Sequence, residues 1–415
     1  MKQNSARVMS LLFGAAMASP AVSIASDVGF DFGGYLRAGP QATTNKNNNR
    51  ACYKLAGAEF KYRLGNECEL YGEFLLTSTI KQETGESIKV HFMPNVNNPN
   101  SSDAGDAKVG VAQMYVEMSG LDFAPNASFW GGKRFHRGAD VHIIDKFFEQ
   151  LDGTGAGASF EALGGKFDLA YYRTDDNNNP AGSQRPGNRL NFWLRDLPLS
   201  AGGSLNVLLN VTKGDFEGGK SGADLSLRHT LADLWGGSNN AWLQLSQGSA
   251  GLTGNFGTLT NGSDVKKWRL ADGFQGQFTK ELGGQAFVMY QKNKADAGDS
   301  TISSIGGRLS YAFSRNFKLL TDLGIDRVKP SGGTAANLTK LTIAPTLSTG
   351  PGWLNRPELR LYVTRAKWNS AANDQANAAY IAANPSATSY NGGLTGAAEG
   401  RTSGTSYGFQ LEAWF

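Results

Sequence analysis

The sequence predicts an all-β fold: a closed antiparallel transmembrane β-barrel of about eighteen strands, with one loop folded inward as a constriction. Three observations predict it. Apolar and polar residues alternate along segments of about ten residues throughout the chain, separated by Gly, Asn, Asp and Ser turns. Past the N-terminus, no apolar run reaches the eighteen or so residues of a spanning helix. The chain ends on an alternating strand with an aromatic terminus, Phe415.

At 415 residues the chain exceeds the usual size of a single core. A closed sheet is the exception, because it grows strand by strand as one domain. Residues 1–25 read as an export signal: Lys2 and Arg7, then the apolar run Val8 to Ala18, then small residues before a cleavage site after Ala25 or Ala21. Residues 26–415 are then one barrel, and roughly twenty to twenty-five residues per strand and connection allow sixteen to eighteen strands. A net charge of +4 without a basic, aromatic-interleaved cluster points away from a nucleic-acid partner.

The strands follow in order. Phe30, Phe32, Leu36 and Ala38 share one face, against Asp31, Tyr35 and Arg37. Ala58, Phe60, Tyr62 and Leu64 oppose Glu59, Lys61 and Arg63, which predicts a second strand. Leu70, Phe74 and Leu76 oppose Glu69, Tyr71 and Glu73; Ala112, Met114, Val116 and Met118 oppose Gln113, Tyr115 and Glu117. Residues 190–195, 205–212, 241–246 and 357–364 alternate likewise. At the end, Tyr407, Phe409, Leu411, Ala413 and Phe415 oppose Gly408, Gln410, Glu412 and Trp414. Polar stretches at 45–50, 95–106, 175–188 and 371–400 read as long outer loops.

The stretch from Trp130 to Gly157 mixes cations, carboxylates and rings without strand alternation or a helical stripe. Two readings fit it: a loop folded into the barrel mouth, or a surface loop with scattered charge. Cys52 and Cys68 are the only cysteines, and in an oxidising compartment a close pair reads as a disulfide rather than a metal site.

If the apolar face meets lipid, the other face lines a wet lumen, and Tyr35, Tyr71, Trp193, Trp242 and Trp414 lie on it. Rings there suit the flat C–H faces of sugars, with Arg37, Glu73, Arg195 and Glu412 nearby for hydroxyls. The alternative is that the rings pack against an inward loop or belong to interface girdles. No enzyme is expected: there is no G-x-S-x-G elbow, and His136 and His142, six apart, lack the i, i+4 spacing of a helical zinc site. Neither a metal nor a cofactor is called for.

The stretches YRLGNECELYGEF (Tyr62 to Phe74) and WGGKRFHRGADVHIID (Trp130 to Asp145), with RPELRLY (Arg356 to Tyr362), AKW (Ala366 to Trp368) and the terminal EAWF, together resemble maltoporin. The resemblance spans the mature chain. It implies a homotrimeric channel of eighteen strands in the bacterial outer membrane, passing maltose and maltodextrins along an aromatic slide flanked by ionic tracks. Tyr35, Tyr71, Trp353 and Trp414 match slide positions, and inward-facing Trp242 is the candidate substitute for a mid-slide phenylalanine. Arg37, Arg63, Glu73, Asp140 and Asp145 match track or constriction positions. Cys52 and Cys68 match the family's loop disulfide in spacing. The sequence also departs from the pattern. The constriction tyrosine falls on Phe147, a track arginine falls on Gly138 beside Arg137, and the entrance ring supplied by a neighbouring subunit is missing. A general diffusion porin, a porin for sucrose or β-glucosides, and a secreted carbohydrate-binding β-protein are the competing readings.

Overall fold

The computed structural model describes residues 25–44, 50–99, 101–162, 164–174, 186–199, 202–295, 298–384 and 400–415. Residues 1–24 of the expected export signal lie outside it, as do 45–49, 175–185 and 385–399 of the polar stretches.

The strands in the first half are β1 (Ala25–Ala38), β2 (Gln41–Thr43), β3 (Leu70–Gln82), β4 (Ser87–Asn98), β5 (Lys108–Leu121), β6 (Ala124–Arg134), β7 (Arg137–Val141), β8 (Lys146–Gln150), β9 (Gly153–Ala162), β10 (Gly165–Thr174) and β11 (Gly187–Pro198). They are followed by β12 (Gly203–Gly214), β13 (Ser221–Leu234), β14 (Gly237–Gly248), β15 (Lys266–Gln277), β16 (Leu282–Lys294), β17 (Ser300–Ala312), β18 (Phe317–Pro330), β19 (Ala336–Ser348), β20 (Glu358–Trp368) and β21 (Ser403–Trp414). Nineteen of them form one sheet, in which the three-residue β2 continues the line of β1 against β21, leaving eighteen staves. Every stave runs antiparallel to its neighbours, and β1 pairs with both β3 and β21, so the sheet closes. Closure satisfies the ladder without an edge, as a bilayer requires.

Burial along the staves is inverted relative to a soluble protein. On β20 the polar side chains Glu358, Arg360 and Thr364 are at most 1% exposed, whereas Leu359, Leu361 and Val363 are 48–54% exposed. On β19, Lys340 and Thr342 are buried while Leu341 and Ile343 face out. An apolar outer band of this kind is stable only against hydrocarbon. Rings crowd the short turns at one rim, where Trp235 packs near Phe274, and Phe313 near Tyr311 and Phe317. At the seam, the Phe415 ring lies 5.3 Å from Phe32 and its backbone exchanges hydrogen bonds with Gly34.

Three expectations are corrected. Residues 58–64 form no stave: the segment 50–69 is an irregular loop folded into the lumen. Ala58, Phe60, Tyr62 and Leu64 are buried against the inner wall instead of facing lipid, and Arg63 on the other parity is buried with them. The Tyr62 ring fills a slot made by Gly306 and Gly324, where a Cβ at either position would collide with it. Lys340 and Thr342 donate to the Leu64 carbonyl at 3.2 and 3.0 Å. The polar stretch 95–106 begins inside β4, which runs to Asn98. The stretch 371–400 opens with a helix, α1 (Ser370–Ala383), whose N-cap Asn369 side chain accepts from the Ala372 N–H. Cys52 and Cys68 are disulfide-bonded and close the inward loop.

Candidate functional site

Two inward segments meet inside the barrel. One is the disulfide-closed loop just described. The other is residues 135–152, built from the hairpin β7–β8 and a short 3-10 turn over His142–Ile144. The Arg63 N–H joins them by donating to the Ile143 carbonyl at 3.0 Å. The stretch from Trp130 to Gly157, expected to be loop throughout, is therefore a constriction loop only over 135–152; its two ends belong to β6 and β9, which pair with each other from Trp130 and Gly157 onward.

Its apolar side is pressed onto the wall: Ile143, Ile144 and Phe148 are at most 1% exposed. Phe148 stacks on Trp242 with ring centroids 4.7 Å apart. Glu149 accepts from the Trp242 indole and from Arg228, both at 3.1 Å. Gln244 donates to the Phe148 carbonyl at 2.6 Å, and the Ile143 N–H donates to the Gln285 side chain at 2.9 Å. Trp242 therefore faces inward, as its parity requires, yet it lies beneath the loop and is no open slide ring. Trp193 is likewise covered. A Cβ on Gly138 would lie 2.8 Å from its indole, so the backbone approaches closely there and the adjacent Arg137 supplies the cation.

Cross-strand register assembles the opposite wall. Tyr35 pairs with Trp414 and Arg37 with Glu412 across β1–β21, while Tyr35 pairs with Glu73 and Arg37 with Tyr71 across β1–β3. These residues face the constriction loop across a cavity of about 330 Å³. It brings together Tyr35, Tyr71 and Trp414 with Arg37, Arg63, Glu73, Arg137, Asp140, Asp145 and Phe147. Of the slide and track positions expected from the sequence, Trp242 and Trp353 stand outside it, as do the lumen-face residues Trp193, Arg195 and Glu412. Trp353 lies in the turn between β19 and β20 and lines a separate cavity of about 560 Å³ with Gln277 and Asn355.

The rings form a descending row. Tyr35 and Tyr71 are half-buried with centroids 6.3 Å apart. Below them, the Arg356 guanidinium lies 4.3 Å from the centre of Trp414. The His142 ring meets Trp414 edge-on at 5.4 Å and lies 6.3 Å from Trp353, bridging the row to the lower cavity. Around the row runs a network of ionised groups. Arg37 pairs with Asp145 and Glu69 at 2.6 Å each and with Glu67 at 3.0 Å. Arg63 reaches Glu67 at 2.7 Å, Glu412 at 3.0 Å and Asp145 at 3.4 Å. The hydroxyls of Tyr71 and Tyr35 donate to Glu73 at 2.6 Å and Glu412 at 3.0 Å. Arg137 is forked onto Asp152 at 2.8 and 2.9 Å, with its guanidinium 3.6 Å from the centre of Phe135 and 5.1 Å from that of Phe147.

The loop's own titratable groups differ in charge. Burial raises Asp140 to about 7, against the pull of Arg63 and with Asp145 and Glu412 adding to the rise. Burial also pushes Asp145 upward, but Arg63 and Arg37 outweigh it and hold the carboxylate well below its usual range. His142 is pushed down to about 4 by burial, despite Glu412, and is neutral at pH 7. Glu67, Gln150 and Arg356 belong to this site without any signal in their local pattern, because distant folding brings them there. His142 lines the cavity although its spacing reads only as a loop residue.

A row of rings beside hydroxyl and ion partners can hold a polyhydroxylated solute at several points. The LamB porin family model matches residues 30–415. Among solved structures, Pseudomonas aeruginosa OpdQ is similar at a TM-score of 0.51 and 11% identity, covering 93% of this chain and 98% of that one. Pseudomonas aeruginosa OccK3 (OpdO) is similar at 0.51 and 11%, covering 95% and 97%. At these identities the solved structures share the fold alone. The family match and the closed, inverted barrel place the protein in the bacterial outer membrane as a porin channel. The chain belongs to the LamB porin family, the maltoporins.

Proposed function

We propose that this channel is selective for maltodextrin-like gluco-oligosaccharides, which cross it by facilitated diffusion. The observation that carries the reading is the row Tyr71, Tyr35 and Trp414, interleaved with Arg37 and Glu73 on one wall of a cavity whose facing wall, the constriction loop, bears Asp140 and Asp145. A pyranose buries its C–H face on a ring while its hydroxyls exchange between guanidinium donors and carboxylate acceptors. Each step resembles the last, so the solute moves down its gradient without a deep well. The protein performs no chemistry on it. Trp353 continues the row at the lower cavity, and Phe147 keeps a ring at the narrowest point without a hydroxyl. The chain is exported on residues 1–25 and assembles as a homotrimer, in keeping with its family.

Swelling of liposomes carrying the purified protein tests the selectivity. Maltose is expected to enter faster than sucrose, a disaccharide of equal mass, and maltotriose to remain permeant. Equal rates for maltose and sucrose would leave a general diffusion porin, and faster sucrose a different sugar specificity.

A further inference from the structure

The outer mouth of the barrel holds a third cavity, of about 560 Å³, apart from the constriction and from the one lined by Trp353. Phe216, from the β12–β13 turn, and Phe256, from the segment 249–265, line it with Tyr172, Asp152 and Asn255. Phe256 is a fixed surface. Arg189, 1% exposed, lies beneath it with its guanidinium 5.0 Å from the Phe256 centre and 4.1 Å from that of Tyr172. The same guanidinium donates to Asn255 and to the carbonyls of Leu151 and Asp152, the latter two at 3.0 Å. A bridge between Ala250 and Phe256, and a 3.0 Å bond from Asn191 to the Gly254 carbonyl, hold the segment down.

This cavity shares a wall with the constriction. Asp152 lines the mouth, and its carboxylate takes Arg137 and, at 2.9 Å, the side chain of Gln150, both of which line the constriction cavity. The Gln150 N–H in turn donates to the Thr253 carbonyl at 2.7 Å.

We infer that the mouth cavity is a capture subsite for the leading sugar unit of a neutral oligosaccharide, with Phe256 as its platform and Asp152 and Asn255 as hydroxyl partners. A half-buried flat ring beside a carboxylate and an amide matches the two faces of a pyranose: the C–H face lies on the ring, and the rim hydroxyls meet the remaining lone pairs of Asp152 and the Asn255 amide N–H. Asp152 hands the solute on, because it already bonds the constriction residues. The inference rests on the proposed sugar selectivity.

The test is maltohexaose block of single-channel current, with sugar added to one side at a time, for the wild type, Phe256→Ala and Phe256→Leu. Phe256→Leu keeps apolar volume under the segment and removes the flat face. For both variants the association rate from the outer side is expected to fall about two- to tenfold. Association from the inner side and the equilibrium affinity should stay at wild-type values. An unchanged outer rate, or an equal fall from both sides, would overturn the subsite while leaving the selectivity standing. Absence of block in the wild type would overturn both.

Discussion

Glu149→Gln removes one charge from the clamp that seats the constriction loop. Glu149 is 1% exposed and holds both Arg228 and Trp242 at 3.1 Å. Breaking a buried pair costs about 3–5 kcal/mol. The lower end applies, because Arg228 keeps Thr230 and Asn240 as neutral acceptors at 3.0 and 3.2 Å. The loop retains the Phe148–Trp242 stack, worth about 0.5–1.5 kcal/mol. It also keeps its bonds to Gln244 and Gln285, worth roughly 0.5–1.5 kcal/mol each. The seated state therefore still dominates, but a loss of about 3 kcal/mol raises the unseated fraction on the order of a hundredfold. In planar bilayers the mean conductance should stay near wild type, with frequent brief upward excursions. Trp242→Phe keeps the stack and loses one bond, so its trace should be intermediate. A Glu149→Gln channel as quiet as the wild type would refute the assignment of the clamp.

Tyr71→Ala should weaken maltodextrin block by about 0.5–1.5 kcal/mol, with ion conductance unchanged or raised; Tyr71→Phe, which loses only the bond to Glu73, should retain most of the block. Phe147→Tyr places a hydroxyl beside Arg137 and should alter sugar affinity without altering thermal stability; unchanged affinity would remove Phe147 from the solute's path. Asp140, raised to about 7, is ionised above that pH and neutral below it, so acidification from pH 8 to 6 removes one negative charge from the constriction. The cation-to-anion permeability ratio should fall across that window, and Asp140→Asn should abolish the step.

Much of the barrel was legible because period-two alternation reports which face of an extended chain is apolar; it fails at the β4–β5 bulge, where Ala112, expected outside with Met114, is buried. The same rule misplaced residues 58–64. Alternation cannot distinguish lipid from an apolar inner wall, and the slot for Tyr62 exists only once Gly306 and Gly324 become neighbours. Trp242 shows a related limit. Parity put its ring inside, but whether it was open or covered depended on where Phe148 came to rest. The helix Ser370–Ala383 carried a readable signal, an alanine-rich run after the N-cap Asn369, which the loop-like polarity of the stretch obscured. Arg37, Tyr35, Tyr71 and Trp414 were accessible from parity and resemblance together. Glu67, which pairs with Arg37, and Arg356, which lies over Trp414, come from remote segments; both fall in the stretches that carry the resemblance, but parity gave them no place in the site.

The proposed selectivity requires that the rings on the polar face form a path for sugar through the lumen. The most direct measurement is ion current through the wild-type channel in a planar bilayer during titration with maltose, maltotriose and maltohexaose. Saturable block is expected at about millimolar or lower concentration, tightening from maltose to the longer chains as more rings are spanned. A current that these sugars leave unchanged would contradict it.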